Sequence, residues 1–111
     1  MVTTGQRAQS VLVIEDDEDT AEMVCNLLET AGYEAVAVSD GGTALDEIAM
    51  IAPDLVLLDI HLPDINGLEI LKKVRSHSFL PMIVMSGYER DRDRVVALEA
   101  GADDFMAKPF A

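Results

Sequence analysis

With 111 residues, half of them hydrophobic and 26% charged, the chain has the size of one domain and too much apolar content for a disordered or collagen-like polymer. Eight Lys and Arg against 21 Asp and Glu give a net charge of −13, which argues against direct binding of nucleic acid or anionic lipid. One cysteine allows no internal disulfide, no apolar run approaches the ~20 residues of a membrane span, and the opening MVTTGQRAQ has no signal-peptide core. A cytoplasmic globule is the expectation.

Residues 1–9 read as a tail and residues 10–111 as the domain. The first strand-sized apolar run is residues 11–14, followed by Glu15, Asp16 and Asp17. After Glu18, the spacing of Ala21, Val24, Cys25 and Leu28 predicts a helix that stops at Gly32. Residues 35–38 form the second apolar run. Ala44, Leu45, Ile48, Ala49 and Ile51 predict a helix ended by Pro53. Residues 55–58 form the third run, ending at Asp59. Leu68, Ile70, Leu71 and Val74 predict the third helix, after Asn66 and Gly67. Residues 82–85 form the fourth run, ending at Ser86 and Gly87. Val95, Val96, Leu98 and Ala100 predict a fourth helix closed by Gly101. A weaker fifth strand covers residues 104–107 and leads into Lys108 and Pro109. The runs are too uniformly apolar to be half-buried, so the expectation is an α/β fold with a parallel sheet covered by helices.

Polar groups follow four of those strands: Glu15, Asp16 and Asp17, then Asp59, then Ser86, then Lys108. Ligands of open parallel sheets bind outside the carboxyl ends of the strands. Carboxylates gathered there must raise a pKa or share a cation, and oxygen donors favour a hard ion such as Mg²⁺. With the Lys108 ammonium and the Ser86 hydroxyl, they would cradle a phosphoryl group, whose transfer is mostly positioning and electrostatics. Asp59, alone after its strand, is the candidate nucleophile.

The segments VLVIEDD, DLVLLDIHLPDINGLEIL, PMIVMSG and AGADDFMAKPF, in that order, make the chain similar to the receiver domain of bacterial two-component response regulators. The resemblance implies a flavodoxin-like, doubly wound parallel sheet with strand order 2-1-3-4-5. It implies Asp59 as phosphoacceptor, Asp16 as a direct Mg²⁺ ligand, Glu15 as a ligand through water, and the main-chain carbonyl of His61 as a further ligand. Asp17 falls just outside. Ser86 would bond the phosphoryl oxygens, Lys108 would pair with them, and Phe105 would be the aromatic switch, rotating into space that Ser86 vacates. Pro63 and Gly67 match the turn beyond the acceptor, and the Lys108–Pro109 bond matches one usually cis. The partners implied are a histidine kinase or histidine phosphotransfer protein and an output domain or effector. The activity implied is phosphoacceptance that assists its own transfer and dephosphorylation, not turnover of a substrate by an enzyme. A receiver-shaped scaffold that accepts no phosphate and acts by protein binding is the alternative.

Two departures from the family stand out. The interval from Asp59 to Ser86 is short, which residues 76–79 must absorb. The sequence also stops at Ala111, where the family's fifth helix begins. Right-handed crossovers put the first helix on one face and the next three on the other. A bare apolar face on strands three to five then predicts dimerisation, an exchanged element or a piece cut from a longer chain.

Other residues read more plainly. Cys25 is a small core hydrophobe, His61 and His77 are exposed loop residues, residues 89–94 are a solvated helix start, and Asp103 and Asp104 belong to a loop. A flavin carrier shares the strand order, but five acids within residues 15–19 would repel its phosphate. An aspartyl phosphatase would carry its nucleophile after the first strand. An EF-hand loop from Asp17 fails at Glu22, where glycine is needed.

Overall fold

Strand and helix alternate through residues 8–87 and 90–108, the part of the chain described by a computed structural model. The elements are β1 (Ser10–Ile14), α1 (Glu18–Thr30), β2 (Glu34–Val38), α2 (Gly41–Ile51), β3 (Leu55–Asp59), α3 (Gly67–Arg75), β4 (Met82–Ser86), α4 (Arg90–Glu99) and β5 (Asp104–Ala107). Five strands form one parallel sheet in the order β2-β1-β3-β4-β5, as the resemblance implies. Ile14 pairs with Val38 and Leu58, Asp59 with Met85, and Ser86 with Ala107. Parallel pairing therefore brings all five carboxyl ends to one edge.

Side chains alternate across each strand. Val11 and Val13 bury against Val24, Leu57 and Met85 on one face, while Leu12, Ile14, Val56 and Leu58 bury with Ile70, Leu71 and Ala97 on the other. So α1 serves one face, and α2, α3 and α4 share the other. β2, at the sheet edge, is more open than its apolar run suggests, with Val36 44% exposed.

The helices start where short polar side chains take up their free N–H groups. Asp17 accepts from Thr20 N, Asp40 from Thr43 N and Asn66 from Leu68 N. The short link between α3 and β4 is held by Arg75. Its Nε donates to the carbonyl of Gly101 at 2.8 Å, and Nη1 to that of Leu80 at 2.6 Å. Nη2 meets Asp103 Oδ2 at 2.6 Å, and that oxygen also accepts from Met82 N. Gly101 turns with φ +109°, and a Cβ there would lie 2.9 Å from Arg75 Cγ. Asp103 is thus a loop residue with a structural task.

One expectation needs correction. Val95, Val96 and Leu98 do not form the buried face of α4: they are exposed, and Ala97 with Asp93 points inward. The polar residue at an inward position displaced the stripe that apolar spacing predicts. The open apolar face expected on strands three to five is present as a groove of about 330 Å³, lined by Leu55 and Leu57 of β3, Ile83 and Met85 of β4 and Met106 of β5, with Leu27 of α1 along it. Pro109 and the end of the chain lie outside the described residues, as do residues 1–7.

The loop after β3 is anchored to α2. Asp64 accepts from Gly41 N at 2.8 Å and Gly42 N at 3.1 Å. Those two N–H groups, Gly41's foremost, hold the Asp64 carboxyl below the usual carboxylate range. A depressed folded-state pKa gives stability that is present above the unfolded value, about 3.9, and lost as pH falls through the lower folded value. Asp64→Asn is therefore expected to melt below the wild type at neutral pH, with the gap closing in acid. Thermal melts of both proteins across pH 3–7 would check this; a constant gap would contradict it.

Candidate functional site

The sheet edge collects what the sequence predicts. Glu15 leaves β1 with its N–H on the carbonyl of Val38 at 3.0 Å, and the residue is 2% exposed. Asp16 beside it is exposed. Asp59 closes β3 at 4% exposure, with Oδ1 accepting from His61 N at 2.9 Å. Lys108 follows β5, its N–H on the carbonyl of Ser86 at 2.9 Å. Its ammonium reaches across to Asp59 Oδ2 at 3.1 Å and forms an ion pair with Glu15 Oε1. Burial alone would lower the Lys108 pKa, but hydrogen bonding and charge from Glu15 and Asp59 outweigh it and hold the group above the ordinary lysine range. Asp17 turns away to cap α1, and its N–H donates to Glu15 Oε2 at 3.1 Å.

Carboxylate oxygens of Glu15, Asp16 and Asp59 all lie within 4.8 Å of one another. Three carboxylates face one ammonium, which Glu15 Oε1 and Asp59 Oδ2 share. An all-oxygen donor set with excess negative charge fits a hard divalent cation.

The Asp59 backbone is fixed by close packing. Gly67 N donates to the carbonyl of Ile60 at 3.0 Å. A Cβ on Gly67 would lie 2.6 Å from both the carbonyl oxygen of Asp59 and Cα of Ile60. Only glycine admits this approach, which gives the Pro63–Gly67 turn its physical meaning.

Ser86 is fully buried, and its hydroxyl donates to Asp93 Oδ2 on α4. The same Asp93 oxygen lies 3.1 Å from His61 Nε2. Residues 90–94 are thus not simply a solvated helix start, because Asp93 is 7% exposed; residue 89 lies outside the described residues. Its signal was available: Asp93, Ala97 and Ala100 stand at i, i+4 and i+7, which puts the acid on an inward stripe. Phe105 is also inside, 5% exposed, with the Arg94 guanidinium carbon 5.0 Å from its ring centroid. The Phe105 ring lies inward while the Ser86 hydroxyl is held by Asp93. His77 is exposed, as expected. Cys25 is half-buried, and burial, then the charge of Glu29, pushes its thiol pKa up.

Comparison with known proteins gives a consistent result. The family model described as "Response regulator receiver domain" matches residues 11–111. The sensory transduction protein RegX3 of Mycobacterium tuberculosis is 41% identical over 102 residues, covering 92% of this chain and 45% of RegX3. The DNA-binding response regulator MtrA of Mycobacterium leprae is 38% identical with the same coverage. The chain therefore spans about half the length of the curated relatives it matches. Among solved structures, the BeF3-activated N-terminal receiver domain of RstA from Klebsiella pneumoniae superposes with a TM-score of 0.88 at 28% identity, covering 93% of this chain and 88% of that one.

Proposed function

The chain belongs to the response regulator receiver domain family, and from that premise we propose that Asp59 is its phosphoacceptor, fed by a histidine kinase or histidine phosphotransfer protein. The observation that carries this reading is Lys108 Nζ, just past β5 and 49 residues from Asp59 in sequence, bridging Asp59 and Glu15. A carboxylate oxygen of Asp59 attacks the phosphorus of a phosphohistidine. The P–O bond forms as the P–N bond breaks, and the donor imidazole, already protonated at its other ring nitrogen, leaves neutral with the P–N electron pair. Lys108 neutralises charge on the phosphoryl oxygens. The His61 N–H fixes the Asp59 carboxylate, and Ser86 supplies a hydroxyl donor once it turns to the site.

Asp16, Asp59, the main-chain carbonyl of His61 and, through water, Glu15 would hold Mg²⁺. The bound ion would supply charge neutralisation for the incoming group. The domain's own hydrolysis of the acyl phosphate and a cytoplasmic location are parts of the same proposal. Phe105, packed under α4, is the aromatic that reports the change to an output domain or effector; output of a DNA-binding kind has its precedent in MtrA.

With Mg²⁺ and acetyl phosphate, intact-mass measurement is expected to show a gain of one phosphoryl group in the wild type and none in Asp59→Asn. A gain that persists in Asp59→Asn would refute the assignment. No gain in the wild type from either acetyl phosphate or a phosphorylated kinase would favour the non-accepting scaffold.

A further inference from the structure

The Ser86 hydroxyl, which the proposed reaction needs, is engaged elsewhere. It donates to Asp93, a nearly buried carboxylate on α4. His61 closes the circuit: its ring nitrogen lies 3.1 Å from the same Asp93 oxygen, and its backbone N–H donates to Asp59 Oδ1 at 2.9 Å. Asp59, His61, Asp93 and Ser86 thus connect the end of β3 to the first turns of α4, through the backbone N–H and the exposed ring of His61 and the buried side chains of Asp93 and Ser86.

We propose that Asp93 is a positioning residue: it holds the Ser86 hydroxyl away from Asp59 until an oxyanion on Asp59 takes that hydroxyl over, so that α4 senses occupancy. A serine has one O–H to donate, so Asp93 and a group on Asp59 compete for it. A phosphoryl group adds roughly −1.5 to −2 charges. When it captures Ser86, Asp93 loses a donor and meets a stronger negative field, and a buried carboxylate stripped of a partner is costly to keep inside. The relief is outward movement of the α4 segment that carries Asp93. The next residue, Arg94, stacks over the Phe105 ring, so this movement changes the packing of Phe105 directly. The inference rests on the reading of Asp59 as acceptor, and the experiment separates the two.

The probe is beryllofluoride with Mg²⁺, measured by calorimetric titration and by amide NMR on wild type, Asp93→Ala, Asp93→Asn, Ser86→Ala and the Ser86→Ala/Asp93→Ala double variant. Asp93→Ala is expected to bind beryllofluoride about three- to tenfold tighter, the range for removing one competing hydrogen bond. The α4 amides of the unliganded variant should already lie toward their liganded positions. In the Ser86→Ala background the same substitution should change affinity by less than about twofold, because a bare charge effect would persist there while a contest for the hydroxyl would not. Should Asp93→Ala fail to melt cooperatively, Asp93→Asn, which keeps the volume and is the weaker acceptor, must move affinity in the same direction. Unchanged or weaker binding in a folded variant, or an equal gain with and without Ser86, would overturn the proposal. Absence of binding by the wild type, or binding undiminished in Asp59→Asn, would overturn the acceptor reading and this inference with it.

Discussion

Lys108→Ala is expected to slow phosphoryl uptake at Asp59 by about a hundredfold or more, the usual cost of deleting a preorganised charge from a transfer site. Its ammonium stands against two carboxylates whose side chains are 1% and 5% exposed, and its own is 19% exposed. Its removal leaves Glu15 and Asp59 facing one another without compensation. Breaking a buried pair costs about 3–5 kcal/mol; the partial exposure of Lys108 places this variant at about 3 kcal/mol. The variant should therefore melt well below the wild type in chelator. Added Mg²⁺ should raise its melting temperature more than it raises that of the wild type, because a cation that binds only the folded chain takes over the missing charge. Phosphorylation by acetyl phosphate, followed by intact mass, reads the first effect and calorimetry reads the second. A variant that accepts phosphate at the wild-type rate would remove Lys108 from the site.

Gly67→Ala should be the most damaging single-methyl change near the site. The added carbon would sit 2.6 Å from the carbonyl oxygen of Asp59 and from Cα of Ile60, both backbone atoms that cannot rotate aside. Overpacking typically costs about 1–3 kcal/mol, and with no side chain able to yield, the upper end applies. The strain falls on the residue that carries the acceptor, so phosphoryl uptake should fall together with stability. Gly42→Ala is the matched control, because its added carbon would meet only side-chain oxygens at 3.6 and 3.7 Å. Near the start of α2, alanine there should leave stability unchanged or raise it by up to about 1 kcal/mol. Urea unfolding of both variants checks the contrast, and equal losses would contradict it.

The sheet and most of the site could be read from the chain because both are written in local pattern. Short apolar runs with acids, a serine or a lysine directly after them place Glu15, Asp59, Ser86 and Lys108 at one edge once the sheet is parallel. What escaped reading has a common physical cause. Arg75 reaches Gly101 and Asp103, and Asp64 reaches Gly41 and Gly42, across more than twenty residues, distances over which spacing has no period. α4 misled for a different reason. Counting apolar residues puts Val95, Val96 and Leu98 inside, whereas the inward position is filled by Asp93, whose burial is satisfied by Ser86 and His61. A carboxylate that serves the site looks, in one dimension, like a solubilising charge.

The loop from Asp59 to α3 is fastened at three places: His61 N on Asp59, Asp64 on α2 and Gly67 N on Ile60. Such bracing makes the Asp59 side of the edge an anvil. On the proposed reading, stress generated at Asp59 is deflected away from α2 and α3 toward β4 and α4, where the Ser86 hydroxyl can exchange Asp93 for a new acceptor. A domain so lopsided would let mechanics choose which of its surfaces carries the message outward.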